Sequence, residues 1–312
     1  MDNAQIHTPW ASPYRWSLDT LTVSNGGLIR VVEKTVLITG ASSGFGLLTS
    51  ITLARRGWRV LATMRDLNRR EKLEAAARGA EVLERIEFHA LDVTNAGQIA
   101  VIADLIAKRG EPLHALVNNA GFAVPGFAED VTDAELREQF DTNFFGSVAV
   151  TRALLPQMRR QGFGHVVMVS SISGRLGFSG VSSYAASKFA LEGWTETLRY
   201  EMKAPGIQVV LVEPGSFDTD IWTRNAKLTS GLQDPNSANA SRVPAWRRRI
   251  EQSAKDRANP QVVANVIARV LEIPRPRLRY VVGKDARMAL MMRRILPAGI
   301  FERMIVKMSG MD

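Results

Sequence analysis

Tyr184 and Lys188 stand four residues apart in a stretch that reads as a helix, so both side chains project from one face. A free phenol ionises near pH ~10, too high for efficient proton exchange near neutrality. An adjacent ammonium favours the phenolate and lowers that value. A tyrosine so placed can give a proton to a carbonyl oxygen as hydride reaches the carbon, or accept one from an alcohol in the reverse direction. Ser171, 13 residues upstream, ends an apolar run and could hold the same oxygen through its hydroxyl. Each residue also has a plain structural reading: a surface Tyr–Lys pair, a strand-end hydroxyl shared with Ser170, and, for Asn143 further upstream, a helix N-cap.

A second constellation, Thr39-Gly40-Ala41-Ser42-Ser43-Gly44-Phe45-Gly46, separates a short apolar run from a helical pattern. Gly40 permits a tight turn, Gly44 lets backbone approach a pyrophosphate, and Gly46 allows helix and strand to pack closely. The start of the next helix offers unpaired N–H groups and a positive dipole end for phosphates. Three glycines alone also suit an ordinary turn; their place in a strand–helix alternation is what points to a dinucleotide. The spacing is G-x-x-x-G-x-G, not G-x-G-x-x-G. Rival chemistries fail on their motifs: there is no G-x-S-x-G elbow and no G-x-x-x-x-G-K-[ST] loop.

These residues need a scaffold that brings them to one edge. The sequence predicts strands at 35–39, 59–63, 86–91, 113–117, 165–170, 208–212 and 279–282. Helices are predicted at 44–56, 68–78, 95–108, 133–140, 144–160, 183–203 and 261–271. Continuous apolar runs suit strands buried on both faces of a parallel sheet. The alternation implies right-handed crossovers and a doubly wound α/β fold: a mostly parallel seven-stranded sheet with helices on both faces, one catalytic domain over 34–285. Ligands bind such sheets at the carboxyl ends of the strands. Residues 1–33 lack any period and read as a flexible extension, or as the product of a misassigned start codon. Residues 216–259 break the rhythm and read as a substrate loop or lid. Residues 286–312 form a basic, Met-rich amphipathic tail interrupted by Pro297-Ala298-Gly299. That tail reads as two short helices on the sheet edge, a pocket flap, a membrane-surface contact or a subunit contact.

Composition excludes several function classes. With 46% hydrophobic and 23% charged residues, the 312-residue chain is not predominantly disordered. It has no cysteine, which excludes disulfides, thiolate metal sites and thiol nucleophiles and fits a reducing, cytoplasmic setting. Its four histidines show no metal-binding spacing, so no metal is expected. Net charge is +9, but residues 241–312 hold 16 Lys/Arg against 6 Asp/Glu, so the basicity belongs to the last quarter. No nucleic-acid-binding motif accompanies it, and a solvated arginine-rich surface is the plain reading. No apolar stretch reaches the ~18 residues of a membrane span, and 1–27 lacks the pattern of a signal peptide.

The motifs, in this order and spacing, resemble the short-chain dehydrogenase/reductase family. The glycine loop is joined by Asn118-Asn119-Ala120-Gly121, by Asn143, by Ser171 and Tyr184-Ala185-Ala186-Ser187-Lys188, and by Pro214-Gly215 with Thr219 four residues on. The likeness covers roughly 34–282. Residues 189–198 and 279–296 further resemble the branch of retinol and 17-beta-hydroxysteroid dehydrogenases. The resemblance implies a Rossmann-like oxidoreductase with Asn143, Ser171, Tyr184 and Lys188 catalytic, and Ser171 and Tyr184 on the substrate. It also implies that Lys188 holds the nicotinamide ribose and that Asn143 anchors a proton-relaying water. The cofactor would touch Gly40, Ser42, Ser43, Gly44, Phe45, Gly46, Arg65, Asp92, Val93, Asn119, Ala120, Gly121, Tyr184, Lys188, Pro214, Gly215 and Thr219. Phe45 replaces the family's commoner Ile, and the N-terminal extension has no family counterpart.

The cofactor choice turns on Thr63-Met64-Arg65-Asp66. Met64 stands where NAD-specific relatives carry Asp, and Arg65 follows as in many NADP-using relatives; Asp66 is one step later and is expected to turn away. Ser43 is not basic, so a second common phosphate contact is missing. NADP(H) is therefore preferred, with NAD(H) the alternative. Asp92 would accept from the adenine amino group, leaving Thr94 or Asn95 to cap the next helix. Apolar segments at 122–127, 172–181 and 216–259 suit a hydrophobic ketone, aldehyde or alcohol. A homodimer or homotetramer is expected by analogy through 144–160 and 183–203. A non-catalytic NADPH-binding sensor is the rival from another class, but a sensor needs the glycine loop and not the acid–base set.

Overall fold

The computed structural model describes residues 21–22, 30–31 and 33–309. The chain divides into two compact units, 1–33 and 34–312. In the first, the described residues are two short antiparallel strands, β1 (Leu21–Thr22) and β2 (Arg30–Val31). The flexible extension expected over 1–33 otherwise lies outside the described residues.

The second unit is built on seven parallel strands: β3 (Thr35–Ile38), β4 (Arg59–Met64), β5 (Ile86–Ala90), β6 (Ala115–Asn118), β7 (Gly164–Val169), β8 (Ile207–Pro214) and β9 (Arg279–Val282). Their order in the sheet is β5-β4-β3-β6-β7-β8-β9, and every pairing is parallel. All four residues of β3 and all six of β7 are buried, as apolar runs sandwiched between helix layers must be. Period-two geometry divides each strand between two cores. Val36 and Ile38 join the layer beneath α1 (Gly44–Arg55), α2 (Glu71–Gly79) and α8 (Gln261–Val270). Leu37 joins the layer beneath α3 (Ala96–Lys108), α5 (Ser147–Gln161) and α6 (Ser182–Glu201).

Three local departures from the sequence reading have physical causes. The helix expected over 68–78 begins as a 3-10 turn, Leu67–Arg70, because the Asp66 carboxylate accepts from Asn68 N at 2.9 Å and fixes a tighter first turn. The break expected between 140 and 144 is absent. Helix α4 (Asp133–Phe140) runs through a π-helical turn, Asp141–Gly146, directly into α5. Asn143 sits in that turn and caps nothing. Segment 216–259 is not a bare loop either, since it contains α7 (Val243–Lys255). The tail folds as two helices, α9 (Lys284–Ile295) and α10 (Ala298–Ser309), with Pro297 between them. Among the described residues no helix is long and apolar enough to cross a membrane.

Candidate active site

The strand order reverses between β3 and β6, and a crevice opens at the carboxyl ends of strands at such a switch. The two loops that leave β3 and β6 are stapled together there. Thr39 Oγ1 accepts from the backbone N–H groups of Asn119 and Ala120, both at 3.0 Å. Asn119 Nδ2 donates to Thr39 O and Gly40 O at 2.9 and 3.0 Å. Side chains on the glycines would destroy this arrangement. Gly40 has φ +67°, and a Cβ on Gly46 would lie 2.4 Å from Gly40 O. The start of α1 has no side-chain cap: Ser43 Oγ accepts from Asn225 Nδ2 at 3.2 Å, leaving the first helical N–H groups to a ligand.

A cleft of about 1670 Å³ runs along this edge. Gly40, Ser42, Ser43, Gly44 and Phe45 form one end of its wall, with Arg65, Asp92 and Val93 beside them. Asn119, Ala120, Gly121, Pro214, Gly215 and Thr219 also line it, as do Ser171, Tyr184 and Lys188. Two residues singled out from the sequence are not on the wall. Gly46 packs behind the loop, and the Asn143 side chain is spent on Phe122, accepting from its N–H at 3.1 Å and donating to its carbonyl at 3.0 Å. Asp92 Oδ1 accepts from Thr94 N and Thr94 Oγ1, while Asn95 caps α3. Asp66 stands at the cleft edge with one carboxylate oxygen already committed to Asn68 N.

Helix α6 carries Tyr184 and Lys188 on its inward face, and both are buried. Burial pushes the Tyr184 phenol up to about 12, and hydrogen bonding with Ser171 works against it. The lowering expected from the ammonium is not found; desolvation sets the direction. Lys188 Nζ lies 5.8 Å from the Tyr184 ring centroid and donates to Val169 O at 2.9 Å. Burial pushes this ammonium down to about 8, with Glu192 one turn on pulling it back up. Ser171 stands two residues beyond β7 and caps the 3-10 turn Ile172–Gly174, where its Oγ accepts from Ser173 N at 3.1 Å and so orients the hydroxyl. At neutral pH the arrangement presents a protonated phenol and a charged ammonium to one spot at the strand ends.

Several contributors escaped the sequence reading. Trp222 stands edge-on to Tyr184 with centroids 5.3 Å apart, and Phe178 and Ile221 pack around the same tyrosine. Arg69, turned by the 3-10 segment, lines the cleft near Arg65; neither guanidinium is engaged in an ion pair among the described residues. Behind Lys188 two buried carboxylates meet two partly exposed guanidinium groups. Arg279 Nε is 3.1 Å from Glu192 Oε2 and 3.2 Å from Glu213 Oε1, and Arg175 Nη1 is 3.3 Å from Glu213. Burial, then the nearby Glu192 charge, pushes the Glu213 carboxyl up. Phe178, Ile221 and Trp222 fall in the apolar segments expected to line the pocket, though none is singled out there, and Arg69 has a local signal as a cation four residues after Arg65; the charge cluster has none.

A family model described as short chain dehydrogenase matches residues 34–228. Retinol dehydrogenase 8 of Bos taurus is 38% identical over 256 residues, covering 79% of this chain and 80% of its own. A crystal structure of a short-chain dehydrogenase from Streptomyces avermitilis superposes with a TM-score of 0.73 at 38% identity, over 84% of this chain and 93% of that one. An actinorhodin polyketide ketoreductase solved with NADPH superposes with a TM-score of 0.64 at 26% identity, over 77% and 90% of the two chains.

Proposed function

The chain belongs to the short-chain dehydrogenase/reductase family, oxidoreductases of alcohol and carbonyl groups, and from that premise we propose that it is an NADP(H)-dependent enzyme acting on a hydrophobic carbonyl/alcohol pair. The observation that carries the reading is the convergence of Ser171, Tyr184 and Lys188 with the glycine loop on one cleft. The residues fit a nicotinamide dinucleotide: the α1 N-terminus is uncapped, and the stapled loop is a cradle that side chains at Gly40 or Gly46 would fill. The bound cofactor supplies hydride. Ser171 Oγ orients the substrate oxygen, Tyr184 gives or takes its proton, and Lys188 binds the ribose beside it. Asn143 acts through the backbone at Phe122, fixing the loop that borders the cleft.

Arg65 and Arg69 support the preference for NADP(H), because both guanidinium groups line the cleft with no ion pair among the described residues, and the neighbouring Asp66 has one carboxylate oxygen committed to Asn68 N. NADPH in the actinorhodin ketoreductase agrees with this. Trp222, Phe178, Ile221 and Phe122 make the wall near Tyr184 apolar, and the likeness to retinol dehydrogenase 8 points to large apolar substrates. Exposed Phe145, in the π-turn that leads into α5, and Phe189, on α6, suit subunit contact through these faces, hence a homodimer or homotetramer. The lack of cysteine agrees with a cytoplasmic setting. The test is NADPH oxidation by the purified protein across aliphatic, aromatic, steroid and retinoid carbonyls. Turnover confined to apolar carbonyls and faster with NADPH than NADH is expected; equal use of small hydrophilic aldehydes, or faster use of NADH, contradicts it.

A further inference from the structure

The C-terminal hairpin is apolar on two sides. Its inner side holds Ala286, Leu290, Phe301 and Met304 against Ile172, Leu176 and Phe178, the segment that follows Ser171. That contact accounts for the folding of the two helices, but not for the outer side. Met288, Met291 and Ile295, 49%, 49% and 69% exposed, form a stripe along α9 at steps of three and four residues. Ile300, 45% exposed, continues it at the start of α10. A helix apolar on opposite sides calls for a second apolar phase.

Charge says what that phase is. The hairpin carries Lys284, Arg287, Arg293, Arg294, Arg303 and Lys307 against Asp285 and Glu302, and Asp285 is turned inward to accept from Ser216 N. A second copy docking on the same face about a two-fold axis would set these like charges against each other. An anionic bilayer complements both the charge and the apolar stripe. Lys284, Arg287 and Ile305 also line the cleft, so the hairpin borders its opening.

We propose that the outer face of α9 and α10, with Met288, Met291, Ile295 and Ile300 flanked by Arg294 and Arg303, docks on an anionic lipid bilayer and sets the mouth of the cleft against it. A substrate dissolved in that bilayer would then enter without crossing water; this benefit rests on the apolar-substrate reading, whereas the docking itself does not.

The experiment is co-sedimentation of the full chain with vesicles of phosphatidylcholine alone and with about 30% phosphatidylserine, at low salt and at roughly 0.5 M salt. NADPH binding is measured on every protein as the check of folding. Wild type is expected to bind the anionic vesicles, to ignore the neutral ones, and to be released by salt. Met291→Glu with Ile295→Glu should weaken partitioning at least tenfold, and so should Arg294→Gln with Arg303→Gln, all retaining NADPH binding. The proposal is overturned if wild type binds NADPH but ignores anionic vesicles, or if either pair of substitutions leaves partitioning unchanged. It is also overturned if sedimentation velocity finds a wild-type oligomer that Met291→Glu with Ile295→Glu dissociates, which would make the stripe a subunit contact. Loss of NADPH binding by wild type would instead count against the proposed function.

Discussion

At Tyr184 desolvation dominates, and its phenol at about 12 stays protonated across the neutral range. Lys188, at about 8, is the group that titrates first. Carbonyl reduction with a charged Lys188 should therefore run at full rate below about 8 and fall as pH rises through that value, read as kcat/KM against pH. A profile flat to pH 10 would separate Lys188 from the reaction. Arg65 is proposed to hold the 2′-phosphate. Arg65→Ala should raise KM for NADPH roughly 10- to 100-fold, the worth of a charge-assisted contact, and leave KM for NADH nearly unchanged. Equal effects on both cofactors would remove the basis of the cofactor preference.

Among the elements, α7 lends Trp246, Ile250 and Gln252 to the cleft lining, and it is held by Trp246. This ring packs on Phe127 with centroids 6.5 Å apart and lies against Gly180, whose φ is +77°. A Cβ at Gly180 would fall 2.2 Å from Trp246 Nε1. Gly180→Ala should displace α7 at a cost of about 1–3 kcal/mol in stability, raise KM for the carbonyl and leave the Kd of NADPH unchanged. An unchanged KM would show that α7 does not shape the substrate side. The elements themselves were largely legible because their periods are clean. TVLI, ALVN and GHVVMV are continuous apolar runs, and Arg279–Val282 is a strand with the bounds expected. The spacing of Tyr184 and Lys188 fixes their shared face whatever the tertiary structure, which is why the pair was readable. What could not be read depends on contacts distant in sequence. Trp222 reaches Tyr184 from 38 residues away, and Arg279 reaches Glu192 and Glu213 across the sheet edge. The π-turn at Asn143 lacked a signal too, since no glycine or proline marks 141–145 and a break was the simpler expectation.

On the scale of the whole molecule, the catalytic edge of the sheet has a counterpart at its opposite end. His114 and His165 are buried there, at the starts of β6 and β7, and burial pushes both down to about 4. His114 Nδ1 accepts from Thr35 N at 3.0 Å, a bond only the unprotonated nitrogen can make. The unfolded chain takes up these protons first, near 6.5, so their contribution is fully present above 6.5 and is lost as pH falls through about 4. Glu213, pushed up from 4.5 to about 7, gives the opposite slope between those two values, so the histidine share is best read by difference. The urea midpoint of His165→Gln should depend less on pH than that of wild type between 6.5 and 4; parallel curves would show that His165 is not a source of acid sensitivity.

In the proposed reaction Tyr184 exchanges the proton while the glycine loop and Lys188 hold the cofactor. Tyr184→Phe removes one hydroxyl and leaves the ring against Trp222. Single-turnover oxidation of bound NADPH by an apolar carbonyl, with NADPH affinity measured on the same samples, tests the claim most directly. The rate should fall about 10²- to 10⁴-fold at unchanged affinity. A rate equal to wild type, with cofactor bound as tightly, would assign the proton to another group and contradict the account.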